Sequence, residues 1–239
     1  MLIQNIKNMK PTFYLLIAFL SFSLNAQKNI HHRWDAMLQS FVNEKGQVDY
    51  QGWLTDQDNL DAYIETLAKM PPHESDSKQA KLAYWINAYN ALTVQLILRN
   101  YPLKSIKEIK APWDTECFSS GGKSFTLGDI EHKILRKMDE PRIHFAINCA
   151  SASCPRLWNR AFLEKQMENQ LTLVTKAFLE DKSKNDIQSK QLKLSRIFLW
   201  FGKDFGSKKE RIDFIQRYSG VPLSNPKIDY LPYDWNLNE

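Results

Sequence analysis

Leu82–Leu98 reads L-A-Y-W-I-N-A-Y-N-A-L-T-V-Q-L-I-L, a run without a charged residue, a glycine or a proline. Its apolar side chains fall nearly all round a helical wheel, which is the pattern of a helix enclosed on every side rather than one lying on a surface. Ser77 can cap its start, the helix runs from about Lys78 to Arg99, and Pro102 lies just beyond its end. A helix of that kind has to be wrapped by the rest of the chain. Asn87 and Asn90 are its two asparagines, three residues apart on a face continued by Val94 and Ile97. A buried amide without a partner costs about 1–3 kcal/mol, so both must find one. They either clamp the backbone of neighbouring loops or orient and bind a reacting group.

The flanking sequence supplies the wrapping. On the N-terminal side, His32–Phe41 has amphipathic helical spacing and ends at the Gly46 turn, and Val48-Asp49-Tyr50 is a brief extended piece. Asp56 to Met70 repeats Leu60, Tyr63, Ile64 and Leu67 at helical intervals and stops at Pro71-Pro72. On the C-terminal side, Gly121-Gly122 makes a hairpin turn into a strand at Lys123–Phe125, and Thr126 caps a helix carrying Asp129, Glu131 and His132. Further helices are expected at Leu163–Leu179, Trp200–Phe205 and Lys209–Tyr218, with extended segments at Gln191–Ser195 and Lys227–Leu231. The elements do not alternate as βαβ units would. The expected class is α+β: a helix-rich single domain over 27–239, its long buried helix packed on a small, mostly antiparallel sheet.

Residues 1–26 read as a secretory leader. Lys7 and Lys10 precede an apolar run from Phe13 to Leu24, and Leu24-Asn25-Ala26 offers a small residue at the cut. The run is short for a membrane span, and no cysteine follows it to carry a lipid anchor. The expectation is an exported, periplasmic or secreted protein with no membrane span after the leader is removed. Losing Lys7 and Lys10 with a leader that has no acidic residue takes the formal charge from +5 to +3. That charge is small and scattered, which argues against a nucleic-acid partner.

Chemistry concentrates in Pro141–Pro155, P-R-I-H-F-A-I-N-C-A-S-A-S-C-P, which holds two of the three cysteines and one of the five histidines. The apolar run reads as a strand carrying His144 into a small-residue loop bracketed by Cys149 and Cys154. Three readings stay open. Export permits a Cys149–Cys154 disulfide, structural or cycling with the dithiol. Alternatively Pro155 opens a helix, Cys154 sits at its N-cap, and the helix dipole favours the thiolate, with His144 as base and Cys149 the fallback nucleophile. Zinc is the third: His132, His144, Cys149 and Cys154 are suitable ligands, but their spacing fits no standard finger, so no metal or other cofactor is assigned. Three cysteines leave one over, and Cys117 is taken as a lone thiol.

Other candidates are weaker. Glu131 and His132 could act as acid, base or ligand, or could simply suit the start of a helix. Arg142 and Arg156 flank the Cys segment and could hold an anion, or could pair with Asp139 and Glu140. Trp200, Asp204, Phe205, Asp229, Tyr230, Asp234 and Trp235 read as packing anchors, with Asp229 and Asp234 as possible third members of a triad.

Four ordered motifs carry a resemblance: Y-W-I-N-A-Y-N-A-L-T (Tyr84–Thr93), L-G-D-I-E-H-K-I-L-R (Leu127–Arg136), R-I-H-F-A-I-N-C-A-S-A-S-C-P (Arg142–Pro155) and L-S-R-I-F-L-W-F-G-K-D-F (Leu194–Phe205). Together they resemble the domain of unknown function 547 family, over nearly all the chain from Val48 to the terminal Y-D-W. The family's cysteines are matched by Cys149 and Cys154, its E-H by Glu131-His132 and its R-I-H by Arg142 to His144. Gly128 and Phe201 depart from the usual polar residue and tyrosine. The resemblance implies no settled activity. Fusion of the domain to glutaredoxin-like modules in some eukaryotic members leans towards thiol chemistry. Three functions are compatible with these residues, the first two being a thiol-dependent hydrolase or acyl-transferase, and a non-enzymatic binding or scaffold domain with a structural disulfide. A dithiol redox protein is the third.

Overall fold

The central helix is longer than its apolar run. In the computed structural model, which describes residues 30–239, Lys78–Asn100 is one helix, with the Ser77 hydroxyl accepting from the Ala80 N–H. Every residue from Leu82 to Gln95 is buried, as are Ile97 and Leu98. The leader read at 1–26 lies outside the described residues.

In chain order the helices are α1 (His32–Phe41), α2 (Tyr50–Trp53), α3 (Gln57–Lys69), α4 (Lys78–Asn100), α5 (Met167–Glu180), α6 (Ile197–Trp200) and α7 (Lys208–Ser219). The strands are β1 (Glu116–Ser120), β2 (Lys123–Thr126), β3 (Asp186–Gln188), β4 (Gln191–Leu194) and β5 (Lys227–Tyr230). Helix α4 is wrapped by α2, α3, α5 and the short helical turns of residues 129–138 and 164–166. Its Trp85 packs edge-on against Phe118 of β1 and Phe125 of β2. The fold is therefore α+β and helix-rich, with small sheets. β1 and β2 form an antiparallel hairpin, turned by Gly121 and Gly122 at positive φ. In the second sheet β3 pairs antiparallel with β4, and β4 pairs parallel with β5.

Three local expectations change. Pro141–Phe145 is a 3-10 helix, not a strand. Its residues from Arg142 onward are all buried, so the alternation of Ile143, Phe145 and Ile147 carried no information about a face. The overlooked signal was a helix start: Pro141 in the first turn and the Glu140 carboxylate accepting from the Arg142 N–H. Asp129–Ile134 is π-helical, a form frequent at functional sites. No helix follows Pro155, and the next helical turn begins at Glu164. Cys154 is thus no N-cap, and the dipole argument for its thiolate falls.

Candidate functional site

The Cys loop is held from behind by asparagines. Asn90, projecting from α4, donates to the Ala146 carbonyl at 2.9 Å and accepts from the Asn148 N–H at 2.9 Å. Asn148 in turn donates to the Pro155 carbonyl and accepts from the Ala150 N–H, both at 2.7 Å. Ala150 takes a left-handed conformation, φ 59°, a strained choice for a residue with a Cβ. That reversal sets Cys149, Ser151 and Cys154 around one point. Gly46, at φ +79°, closes the back of the loop: a Cβ there would meet the Arg156 Cβ at 2.3 Å.

From the front, the C-terminal segment crosses the loop as a strap. Ala152 N–H donates to the Asn236 carbonyl at 2.7 Å, Ser153 N–H to Asp234 at 3.1 Å, and Ser151 bridges Leu237. This strap delivers Tyr233. Its hydroxyl lies 3.4 Å from Cys149 Sγ and 2.9 Å from Ser151 Oγ. Ser151 Oγ is itself 3.2 Å from Cys149 Sγ.

The two sulfurs are 2.8 Å apart. All three cysteines are free thiols, and the Cys149–Cys154 spacing exceeds the about 2.05 Å of a disulfide. The Cys149 N–H donates to Cys154 Sγ at 3.0 Å. The pair is electrostatically unequal. The Cys154 thiol, then Ser151 and Tyr233, stabilise charge on Cys149 against the cost of burial, and its pKa moves below the ordinary thiol value. Burial and the neighbouring Cys149 charge push Cys154 well up. At neutral pH the arrangement favours one thiolate, on Cys149, with a protonated thiol touching it.

Glu131 stands nearby on the π-helical turn, 8 % exposed. The Tyr89 hydroxyl donates to it at 3.2 Å. Burial, reinforced by charge on Cys149, raises its pKa to about 7. It is a carboxyl poised to hold or release a proton at neutral pH.

The histidines go elsewhere. His144 Nε2 lies 2.8 Å from Asp204 Oδ2, and Phe201 stacks on the ring at 4.2 Å. Burial lowers His144 to about 4 despite Asp204, so the neutral ring donates to the carboxylate. Arg136 holds the same carboxylate at 2.6 and 2.8 Å, and its guanidinium lies 3.3 Å from His132 Nδ1. Burial opposes charge on Asp204, but Arg136 and His144 outweigh it, and the carboxyl stays below its usual range. The hydrogen bonds of both imidazoles thus run to the Asp204 network and not to either sulfur. Among the described residues, no group of three or more His, Cys, Asp or Glu side chains is placed to hold a metal.

The remaining candidates are structural in their contacts. Asn87 donates to the Phe162 carbonyl at 2.8 Å and accepts from its N–H at 3.0 Å, on a different segment from the Cys loop. Arg142 bonds Glu140, Glu168 and Thr172, which occupies all five of its N–H groups. Arg156 donates to the Glu44 carbonyl. Cys117 donates to the Phe125 carbonyl at 3.7 Å, and burial raises its pKa to about 11.

Sequence reading missed Ser151, Arg136, Tyr89 and Tyr233, and took Asp204 for a packing anchor. Arg136 follows His132 by one helical turn, which was a usable signal. Tyr233 was not findable, because only the course of the strap brings it to the thiol.

Residues 73–179 match a family model described as "Protein of unknown function, DUF547". That span includes Cys149, Cys154, Glu131, His132, His144, Asn87 and Asn90, while Asp204 and Tyr233 lie beyond it. No curated protein and no solved structure matches the chain significantly.

Proposed function

The chain carries a DUF547-like domain, and we propose that it works as a dithiol–disulfide exchange protein with Cys149 as the attacking sulfur and Cys154 as the resolving one. The observation that carries this reading is the unequal pair, two free sulfurs 2.8 Å apart with Cys149 shifted down and Cys154 up. A lowered thiol with a protonated thiol against it has the two roles that exchange requires. The Cys149 thiolate attacks a substrate disulfide, whose S–S bond breaks and releases one thiolate. Cys154 then attacks Cys149 Sγ, the mixed disulfide breaks, and the proton of Cys154 leaves with the second substrate sulfur. The substrate gains two electrons and becomes a thiolate and a thiol, and Cys149–Cys154 is left as a disulfide.

A second reading retains thiol-dependent hydrolysis or acyl transfer, and Glu131 favours it. A buried carboxyl raised to about 7 beside a thiolate could protonate a leaving group. His144 contributes less here, since its Nε2 is committed to Asp204. The two readings separate on Cys154. A hydrolase needs Cys149 and tolerates Cys154→Ser, whereas exchange through a resolving thiol loses turnover with either substitution. Export, suggested by residues 1–26, would place the pair in an oxidising compartment where both of its states are accessible.

A further inference from the structure

The strap that crosses the thiol site is held down by the loop it crosses. Its two outer anchors lie elsewhere: the Leu231 N–H donates to the Leu194 carbonyl of β4 at 2.8 Å, and the Leu237 N–H to the Lys104 carbonyl at 2.9 Å. Between them, every hydrogen bond that ties the strap to the body among the described residues ends on the Cys loop. The Asp234 N–H donates to Ser153 Oγ at 2.8 Å, and the Ser153 N–H returns to the Asp234 carbonyl. The Ala152 N–H reaches the Asn236 carbonyl, and the Tyr233 hydroxyl meets Ser151 and Cys149. The other contacts of this stretch are Tyr233 and Trp235 on Trp200, Trp113 on Trp235, and the Lys107 ammonium over Trp235. No residue from Leu231 to Asn236 is buried, so the bonds to the loop are what fix its backbone.

The loop residues that make these bonds, Ser151, Ala152 and Ser153, are the ones enclosed between the two cysteines. We propose that the strap is a redox-sensitive latch, closed on the loop while Cys149 and Cys154 are thiols and released when they join as a disulfide. This rests on the dithiol reading above and adds a conformational consequence to it. Two changes act in the same direction. Joining the sulfurs closes a ring that contains the Ala152 and Ser153 N–H groups, and Ala150 in that ring already sits at φ 59°, so torsions altered at the sulfurs pass to the donors of the latch. The Cys149 sulfur also ceases to be a charged acceptor, which weakens its contact with the Tyr233 hydroxyl. With the strap closed, Cys154 is only 6 % exposed. Release bares the disulfide to the thiol that must reduce it before a further turnover.

Amide hydrogen exchange of the full chain reads the latch directly. One sample is kept in reductant. The other is treated with oxidised glutathione, which takes up the two electrons and both protons and leaves as two thiols, and peptide mass confirms the Cys149–Cys154 linkage. In the disulfide form the amides of Ala152, Ser153 and Asp234 should exchange about tenfold faster, with those of α3 unchanged. Equal or slower exchange at the three amides would overturn the latch and leave the exchange function standing. A rise of the same size in α3 would also overturn it, since that is general loosening and not release of the strap. If no Cys149–Cys154 disulfide forms, the dithiol reading falls and the latch falls with it.

Discussion

At the scale of single residues, the chemistry of the site depends on which sulfur is charged and what keeps it so. Tyr233 is one of the groups that oppose the desolvation of the Cys149 thiolate. Tyr233→Phe removes that hydroxyl and leaves the ring. Alkylation of Cys149 in mildly acidic buffer should slow by about threefold to tenfold, the effect of losing one hydrogen bond to a charged acceptor. Iodoacetamide kinetics followed by peptide mass spectrometry checks this, and an unchanged rate would mean that the hydroxyl does not hold the charge. Glu131 makes a second residue-level prediction, with a sign that depends on pH. Its folded pKa, about 7, lies above that of an unfolded carboxyl. The folded state therefore holds the proton more tightly, and stability declines as pH rises from about 4.5 to 7, then levels off. Glu131→Gln keeps an acceptor for Tyr89 and removes that cost. The variant should match the wild type near pH 4 and exceed it by about 1–3 kcal/mol at pH 8 in urea unfolding.

At the scale of elements, α4 acts on the site through one of its asparagines. Asn90→Ala leaves the Ala146 carbonyl and the Asn148 N–H without partners behind the Cys loop, and Asn87→Ala does the same to the two backbone groups of Phe162. Each should cost about 2–4 kcal/mol of stability, two buried hydrogen bonds being lost in both cases. Only Asn90→Ala should also alter the alkylation rate of Cys149. Equal effects on the thiol would dissolve the distinction between the two clamps. The same elements show what the sequence could convey. The all-round apolarity of Leu82–Leu98 identified a buried helix because enclosure leaves its mark in composition alone. Lys227 to Leu231 was legible as a strand for a similar local reason, and the observed strand is Lys227–Tyr230. The segment around His144 was misread because full burial erases the period that separates strand from helix. The Cys loop was legible as a place but not as a geometry. Its activating groups, Ser151 and Tyr233, arrive by a backbone reversal at Ala150 and by a strap from the far end of the chain, and neither event has a local signature.

At the scale of the whole molecule, buried histidines make the fold sensitive to acid. Burial lowers both His31 and His144 to about 4, below the unfolded value near 6.5. The unfolded chain binds these protons more readily, so the stabilising contribution is full above about pH 6.5 and is lost as pH falls towards 4. Glu131 acts in the opposite sense over part of this range, but two groups oppose one. Thermal midpoints should therefore fall between pH 7 and pH 4.5. His31→Gln, which can keep a bond to the Tyr63 hydroxyl, should make the fall shallower. A pH-independent midpoint would show that the two rings are not held neutral. The Asp204 network, with His144, Arg136 and Phe201, balances its charges internally.

On the proposed function, Cys149 and Cys154 interconvert between dithiol and disulfide. The most direct test equilibrates the full chain in glutathione buffers of graded poise, quenches with acid, alkylates, and reads the linkage by mass spectrometry. The pair should form a Cys149–Cys154 disulfide that is made and reduced reversibly, with a midpoint between about −270 and −120 mV, the span of catalytic dithiol proteins. A pair that stays reduced at every poise, or one whose midpoint lies below about −300 mV among inert structural disulfides, would contradict it.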